Sequence, residues 1–307
     1  MKDIEIFPQG GTWCKGNLHT HTTNSDGKLT PEETVAAYKK LGHDFISLTD
    51  HRKYIYNKHL QSDDFIMIPG FEVDISPPGI NMCHHMVAIR KKISDKNYED
   101  GHVFERPEYR GQETVQGIID ELNSRDNFVF YCHPIWSRAH IDDFIGLEGC
   151  LGMEIFNTGC HLENGTGYSP TYTDEALRQK KMPYIFATDD CHHYKDDRGK
   201  GYIVAKADEK SEEGIVDAIT KGRFYSSRGP EIYEFGIKNN EVHISCSRVR
   251  EIHFLAFEPL GCSFVGEKGE TRQSASCAVN EGWTYVRAEI IDDNGYQAWT
   301  NPIFINP

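Results

Sequence analysis

The sequence predicts an α/β protein in which a parallel sheet, open or closed, is followed by a small antiparallel β-sandwich. Three observations carry this expectation. Residues 12–225 alternate short apolar runs with helical patterns, the order a parallel sheet requires. The apolar runs end, one after another, in His, Asp or Glu, and strand C-termini are where barrel folds carry their functional side chains. Beyond Gly229-Pro230 the helical periodicity stops and period-two alternation replaces it.

The first polar terminus is Asn17-Leu18-His19-Thr20-His21, with Asp26 in the loop beyond. On an extended strand, residues i and i+2 share a face, so His19 and His21 can aim two imidazoles at one point. Thr30-Pro31-Glu32-Glu33 opens a helix, with Thr at the N-cap, Pro at N1 and Glu at N3 reaching back, and Leu41-Gly42 closes it. The run 45–49 is a strand leading into Asp50-His51, and 65–68 continues through Pro69-Gly70 to Glu72. Residues 86–89 follow His85. A helix over 113–122 precedes the strand 128–132, which ends in His133-Pro134. The strand 151–156 ends near Asn157. A helix over 174–181 precedes the strand 184–188, which ends in Asp189-Asp190. The strand 201–204 and a helix over 211–221, capped by Ser211 and stopped by Gly222, complete the alternating part. In the tail, Phe235 and Ile237 alternate before Asn239-Asn240, and Val242, Ile244 and Cys246 after it, which is a hairpin signature. Further strands are expected at 252–257, 283–291 and 303–305, with a turn at Asp293-Asn294-Gly295. The division expected is 1–228 and 229–307.

Composition narrows the function classes. The 307 residues suffice for one large and one small domain. No apolar run is long enough to span a bilayer, and Met1-Lys2-Asp3-Ile4-Glu5 lacks the apolar core of a signal peptide, so a cytoplasmic protein without a membrane partner is expected. Nine cysteines, an odd number without a CxxC, read as buried thiols in a reducing compartment rather than as a disulfide framework. A formal charge of -14 argues against a long nucleic acid, whose binding rests on Lys and Arg neutralising phosphates. A small anionic substrate is compatible with it, because bound cations would reverse the local field.

Collecting the strand termini gives His19, His21, Asp26, His51, Glu72, His85, His133, Asp190 and His192. Neutral imidazoles with a few carboxylates suit Zn, Mn or Fe. Nine donors exceed one tetrahedral ion, so two or three divalent ions with a bridging carboxylate such as Glu72 are expected. His85 is preferred over His84 because it directly precedes the apolar run 86–89. His43, His59, His102, His243 and His253 read as ordinary loop or packing residues. Cys83, Cys132 and Cys191 read as packed thiols.

The set His19-x-His21-x4-Asp26, Thr49-Asp50-His51, Gly70-Phe71-Glu72, His85, His133-Pro134 and Asp190-x-His192 resembles the PHP (polymerase and histidinol phosphatase) family over about residues 12–228. The resemblance implies a distorted (β/α)7 barrel holding up to three ions. It implies one ion on His19, His21, Glu72 and Asp190, a second on Glu72, His85 and His133, and a third on Asp26, His51 and His192. A narrower resemblance, to the CehA/McbA-like branch named for aryl carbamate and amide hydrolases, rests on further motifs. These are Trp13-x2-Gly16-Asn17-Leu18-His19, Asp189-Asp190, the run from Gly222-Arg223-Phe224-Tyr225 to Gly229-Pro230, and Trp299-Thr300-Asn301-Pro302-Ile303.

The chemistry expected is metal-assisted hydrolysis of a small-molecule substrate. A phosphoesterase is favoured; a carbamate, amide or ester hydrolase is the alternative, and a metal-containing binding or scaffold protein is the rival from another class. The acid that protonates the leaving group is not fixed by the sequence. Asp189 and Asp50 are the catalytic candidates, each also suited to orienting a ligand histidine, with His193 and His140 behind them. Arg138, Asn157, Arg228 and Lys200 are candidates for a substrate anion, and Trp136 for an apolar wall. The β tail is left two roles, pairing copies of the chain into a homo-oligomer or shaping the pocket rim.

Overall fold

The computed structural model describes residues 2–259, 261–267 and 269–305. Met1 and residues 306–307, the outer ends of the two expected units, lie outside the described residues. Two sheets face each other over one apolar core. The first has five strands, in the order Tyr184–Thr188, Cys150–Asn157, Asn127–Tyr131, His84–Arg90 and Gly70–Ile75. The second includes Tyr202–Ala207, Thr12–Asn17, Phe45–Ile46 and Ile66–Met67 as consecutive neighbours. Phe45, Ile66, Val87, Phe128, Phe130, Phe186 and Ile203 fill the space between them.

At the strand C-termini two isolated parallel bridges join the sheets, Thr20 to Cys191 and His51 to Glu72. Both bridges lie beside residues of the His/Asp/Glu set. The seam between the sheets is therefore closed where those side chains stand.

The uniformly parallel sheet expected from strand–helix alternation is corrected to a mixed one. Gly70–Ile75 and His84–Arg90 are antiparallel, as are His84–Arg90 and Asn127–Tyr131, and Tyr202–Ala207 against Thr12–Asn17. The first of these has a physical reason in chain length. Only residues 76–83 join the two strands, too few for a parallel crossover, which takes a dozen or more.

The first helix, Pro31–Lys40, has the expected capping box, with Thr30 accepting from Glu33 N and Glu33 reaching back to Thr30 N. Glu212–Thr220 is capped by Ser211. The helix expected over 174–181 instead runs Pro170–Arg178, because Pro170 supplies an N1 start that the apolar pattern understates. Lys180 and Met182 then turn to positive φ and end it.

Beyond residue 228 the described residues form strands and no helix. Ile232–Lys238 and Glu241–Val249 are the expected hairpin, with Asn239 and Asn240 at φ 51 and 64°. That pair is the left-handed geometry a tight hairpin demands, and Asn tolerates it. Arg272–Ala278 adds to one edge and Ile4–Glu5, from the other end of the chain, to the opposite edge. Cys262–Val265, Glu251–Ala256, Tyr285–Ile291 and Gln297–Thr300 form the facing layer. Ile237, Val242, Ile252, Val286 and Ile290 are among the buried residues between the layers.

Hydrogen bonding crosses the 228/229 division. Gln297–Thr300 pairs with Phe224–Ser227, which pairs with Tyr202–Ala207, so the facing layer continues into the second sheet. The reading of the cysteines needs one correction. Cys262 and Cys277 form a disulfide between two tail strands, and the other seven are free. Spacing alone gave no sign of it, because the two meet across strands rather than within a motif. Among the described residues no helix is long and apolar enough to cross a membrane.

Candidate metal centre

All nine strand-terminal residues converge. Glu72 lies at the middle, 1% exposed, and its two oxygens face different imidazoles. Oε1 is 2.8 Å from His85 Nδ1 and 3.3 Å from both His19 Nε2 and His133 Nε2. Oε2 is 2.9 Å from His51 Nδ1 and 3.4 Å from His21 Nε2. Asp190 Oδ1 lies 3.1 Å from His21 Nε2 and 3.3 Å from His19 Nε2. Asp26 Oδ2 lies 3.5 Å from His192 Nε2 and 3.6 Å from His51 Nε2.

The donor atoms fall into overlapping groups: His19, His21 and Asp190; His51, Glu72 and His85; His19, Glu72 and His133; and His21 with Asp26, His51 and His192. The trio Asp26, His51 and His192 is thus brought together as expected, with His21 added. His85 and His133 both meet Glu72 Oε1, while His19 shares that oxygen with them.

These residues fit divalent cations on an observation independent of any family. His19 Nε2, His21 Nε2 and His51 Nδ1 are buried and have no hydrogen-bond partner, although carboxylate oxygens stand within 3.4 Å. Buried polar nitrogens left this way are costly unless something satisfies them. Lone pairs converging with carboxylates on shared points are what a cation requires, and the imidazole–carboxylate mixture suits Zn, Mn or Fe.

Electrostatics follow the same plan. Burial would raise the Glu72 carboxyl, but the imidazoles of His85, His51 and His19 and a hydrogen bond from His133 hold it well below the usual range. Asp190 is likewise held low against burial by His19, His21, His192 and His133. Burial disfavours protonated His192, yet the bond to Asp26 and the charge of Asp190 lift it to about 9. A cation held here would displace protons from the imidazoles, since ligand histidines must be neutral.

One residue essential to this geometry was missed. Glu154, 0% exposed, sits within the apolar run of Cys150–Asn157. Its Oε1 accepts from His19 Nδ1 at 2.8 Å and Thr188 Oγ1 at 2.6 Å. Its Oε2 accepts from His133 N at 2.8 Å and Asn157 Nδ2 at 2.9 Å. A carboxylate can only accept, so His19 carries a proton on Nδ1, which leaves Nε2 as the nitrogen that can give up its proton to a cation. The same bond to His133 N steadies a backbone with φ of 28°, and Asp190, at φ 48°, donates its own N–H to His19 O at 2.8 Å. The signal in the sequence was an acid inside an otherwise apolar strand. For the His84/His85 pair, His84 turns away to Tyr131 Oη at 2.8 Å while His85 faces Glu72.

Several expected functional residues lie elsewhere. Asp189 is 0% exposed and accepts from Tyr38 Oη, Thr158 Oγ1 and the N–H groups of Gly199, Lys200 and Gly201. Five donors leave it no role in proton transfer to substrate; it anchors the 199–201 turn. Asp50 accepts from Thr22 N, Thr22 Oγ1 and Ser25 Oγ, shaping the loop that delivers Asp26. Asn157 is a substrate contact no longer, because it is buried, donates to Glu154 and Asp190, and caps the next helix through Cys160 N. Arg228 packs over Phe156 at 4.3 Å and bonds Tyr168 and Gln297 away from the cavity. Arg138 is exposed outside the cavity, and Lys200 pairs with Asp196. His193 is buried between Thr34 and Cys191, and His140 is an exposed helix cap.

The cluster floors a cavity of about 480 Å³. Trp136 is the expected residue that does line it, edge-on to His133 at 5.2 Å and His85 at 5.9 Å. Its Nε1 donates to Glu163 Oε2 at 2.8 Å. Glu163, Tyr194 and Lys195 complete the rim. Lys195 is the one lysine or arginine among the described lining residues, and it donates to Leu162 O at 3.0 Å.

A Methanocaldococcus jannaschii protein, MJ1295, is 36% identical over 75 residues, 20% of this chain and 34% of its own length. The DNA polymerase/3'-5' exonuclease PolX of Bacillus subtilis is 30% identical over 94 residues, 25% of this chain and 16% of its own. The matched stretches thus cover about a third and a sixth of these two curated relatives. Among solved structures, a Bacteroides vulgatus two-domain protein containing a predicted PHP-like metal-dependent phosphoesterase is 17% identical with a TM-score of 0.49. That alignment covers 95% of this chain and 96% of the other. The PHP domain model matches residues 17–209, the stretch that holds every residue of the cluster, and the chain therefore belongs to the PHP domain family.

Proposed function

We propose that the protein is a multinuclear metal-dependent hydrolase that cleaves a small phosphate ester. The observation that carries this reading is the split of Glu72, whose two oxygens face separate imidazole sets. A carboxylate so placed would be shared by two ions, one held with His19, His85 and His133 and the other with His21 and His51. Divalent ions held by this set supply Lewis acidity and lower the pKa of an attacking water.

The chain's own residues do the rest. Glu154 holds His19 in one tautomer, and the Asp190 carbonyl does the same for His192 by accepting from Nδ1 at 3.0 Å. Trp136 walls the cavity beside His85 and His133 and keeps water from that side of the substrate. Lys195 offers an ammonium to a substrate anion, and the closed floor leaves entry only from the rim. The substrate is a small molecule; a net charge of -14 opposes a long nucleic acid.

The same rim favours a second reading. One ammonium beside Glu163 and Asp197, with Trp136 and Tyr194, suits an aryl carbamate, amide or ester better than a multiply charged phosphate. A scaffold role is opposed by the cost of burying the five polar side chains of His19, His21, Glu72, His133 and Asp190 without use. Assaying the Mn-loaded protein against p-nitrophenyl phosphate, bis-p-nitrophenyl phosphate, a nucleotide and an aryl carbamate separates these. Metal-dependent phosphoester turnover is the expected result. Carbamate turnover alone selects the second reading, and no turnover by fully loaded protein rejects both.

A further inference from the structure

The strand that delivers Asp190 is incomplete without the tail. Tyr184–Thr188 is the end strand of the five-stranded sheet, paired on one side with Cys150–Asn157. On its other side two side chains stand in for a neighbouring strand. Ser226 Oγ accepts from Ala187 N at 2.8 Å and donates to Ile185 O at 2.7 Å. Asn301 Oδ1 accepts from Ile185 N at 2.9 Å, while Nδ2 donates to Gly222 O at 3.1 Å and Phe224 O at 3.0 Å.

Ser226 and Asn301 are 0% and 1% exposed, and Ile185 and Ala187 are equally buried. Without these two side chains, both strand N–H groups would be buried without acceptors, which native proteins avoid. Asn301 belongs to the tail, and Ser226 is registered against the tail by its pairing with Trp299. Trp299 packs with Ile155, Phe156, Ile185 and Ala187, the apolar backing of both strands that carry Glu154 and Asp190. Ala187 pairs with Phe156 and Thr188 with Asn157, so any slip of one strand is passed to the other. Ala187 lies three residues before Asp190.

We infer that Ser226 and Asn301 are positioning residues for the metal site at Asp190, and that the tail is a built-in part of that site. The inference rests on the reading of Asp190 as a metal ligand. Its content is geometric: the brace fixes where Tyr184–Thr188 ends, and so where the Asp190 carboxylate meets His19 and His21.

The test uses the full chain in four forms: parent, Ser226→Ala, Asn301→Ala, and Val242→Ala. Val242 is fully buried in the tail but touches neither strand of the site, so it controls for general destabilisation. Circular dichroism establishes folding and Tm. Equilibrium dialysis measures Mn affinity, and the visible absorption of Co-loaded protein reports ligand geometry. Ser226→Ala and Asn301→Ala should weaken Mn binding several-fold, approaching the about 10-fold lost when a direct partner of a metal ligand is removed, and shift the Co bands. Val242→Ala should lower Tm and leave both readouts at parent values. Should Asn301→Ala fail to fold, Ser226→Ala, which removes a single oxygen, decides alone. A folded Ser226→Ala with parent affinity and parent Co bands overturns the inference, as does a Val242→Ala that perturbs both equally. A parent that binds no Mn overturns this inference and the proposed function together.

Discussion

The floor and the rim of the cavity are built by opposite means. The floor is made of strand and strand-end residues: His19, Glu72, His133 and Asp190 are at most 7% exposed, and Glu154, Asn157, Ser137 and the His19 carbonyl hold them. The rim is made of loop and short-helix residues, of which Tyr194 is 68% exposed and Lys195 and Glu163 are also exposed. A floor fixed in this way sets what kind of bond the site can activate. A rim with few internal bonds sets which molecule is admitted. On the proposed function, reaction class and substrate choice are thus carried by different parts of the same cavity.

That division can be broken by mutation, starting at the floor. His19→Ala or Asp190→Ala should abolish metal-dependent hydrolysis, a loss of at least about 1,000-fold in kcat, while leaving the far-ultraviolet circular dichroism unchanged. Turnover retained in either variant removes the metal mechanism. One layer out, Glu154→Gln should cost about 10- to 100-fold in metal affinity. All four of its partners donate, and a glutamine offers only one acceptor oxygen to them. Isothermal titration with Mn measures this; parent affinity would mean that His19 needs no fixed tautomer.

The rim should behave differently. Lys195→Ala should raise KM about 3- to 10-fold for an anionic ester and leave kcat and metal content nearly unchanged, because it removes binding without touching the floor. A neutral ester should show no such change. A fall in kcat with loss of metal would erase the distinction between floor and rim.

A smaller effect lies outside both regions. His43 is 4% exposed, packed edge-on against Tyr38 at 4.9 Å, and burial together with Lys15 lowers its pKa to about 3. The unfolded imidazole titrates near 6.5, so below that pH the unfolded chain takes up a proton that the folded chain refuses. Stability from neutral His43 is full above pH 6.5 and falls as pH drops toward 3, by about 3 kcal/mol at pH 4.5. Urea unfolding of parent and His43→Leu between pH 7 and 4.5 should show a shallower acid loss in the variant. Equal slopes would show that His43 is already paired in the fold.

Much of the floor was legible in the sequence because its rule is local. A polar residue at or just beyond the edge of an apolar run marks a strand or the loop leaving it, and the nine residues collected on that basis meet in space, although Glu72 lies within its strand and His85 near the start of its own. What was not legible depends on contacts distant in sequence. Glu154 reaches His19 across 135 residues, and Asn301 reaches Ile185 across 116. Asp50 and Asp189, which adjoin His51 and Asp190, are candidates either for catalysis or for orienting a ligand histidine, and Asn157 at a strand end is a candidate substrate contact, but all three side chains point back into the scaffold. Adjacency in sequence does not say which way a side chain turns once a strand ends. The fold was legible at the level of an alternating part and a β tail. The antiparallel pairs, the Cys262–Cys277 bond and the strand from Ile4–Glu5 were not, because each rests on pairing that periodicity leaves open.

The central claim is that Glu72 joins two metal positions. Plasma emission analysis of metal-replete parent and Glu72→Gln protein tests it most directly. Two or three ions per parent chain, falling by at least one in a folded Glu72→Gln variant, is the predicted result. One ion or fewer in the replete parent, or an unchanged count in the variant, would contradict it.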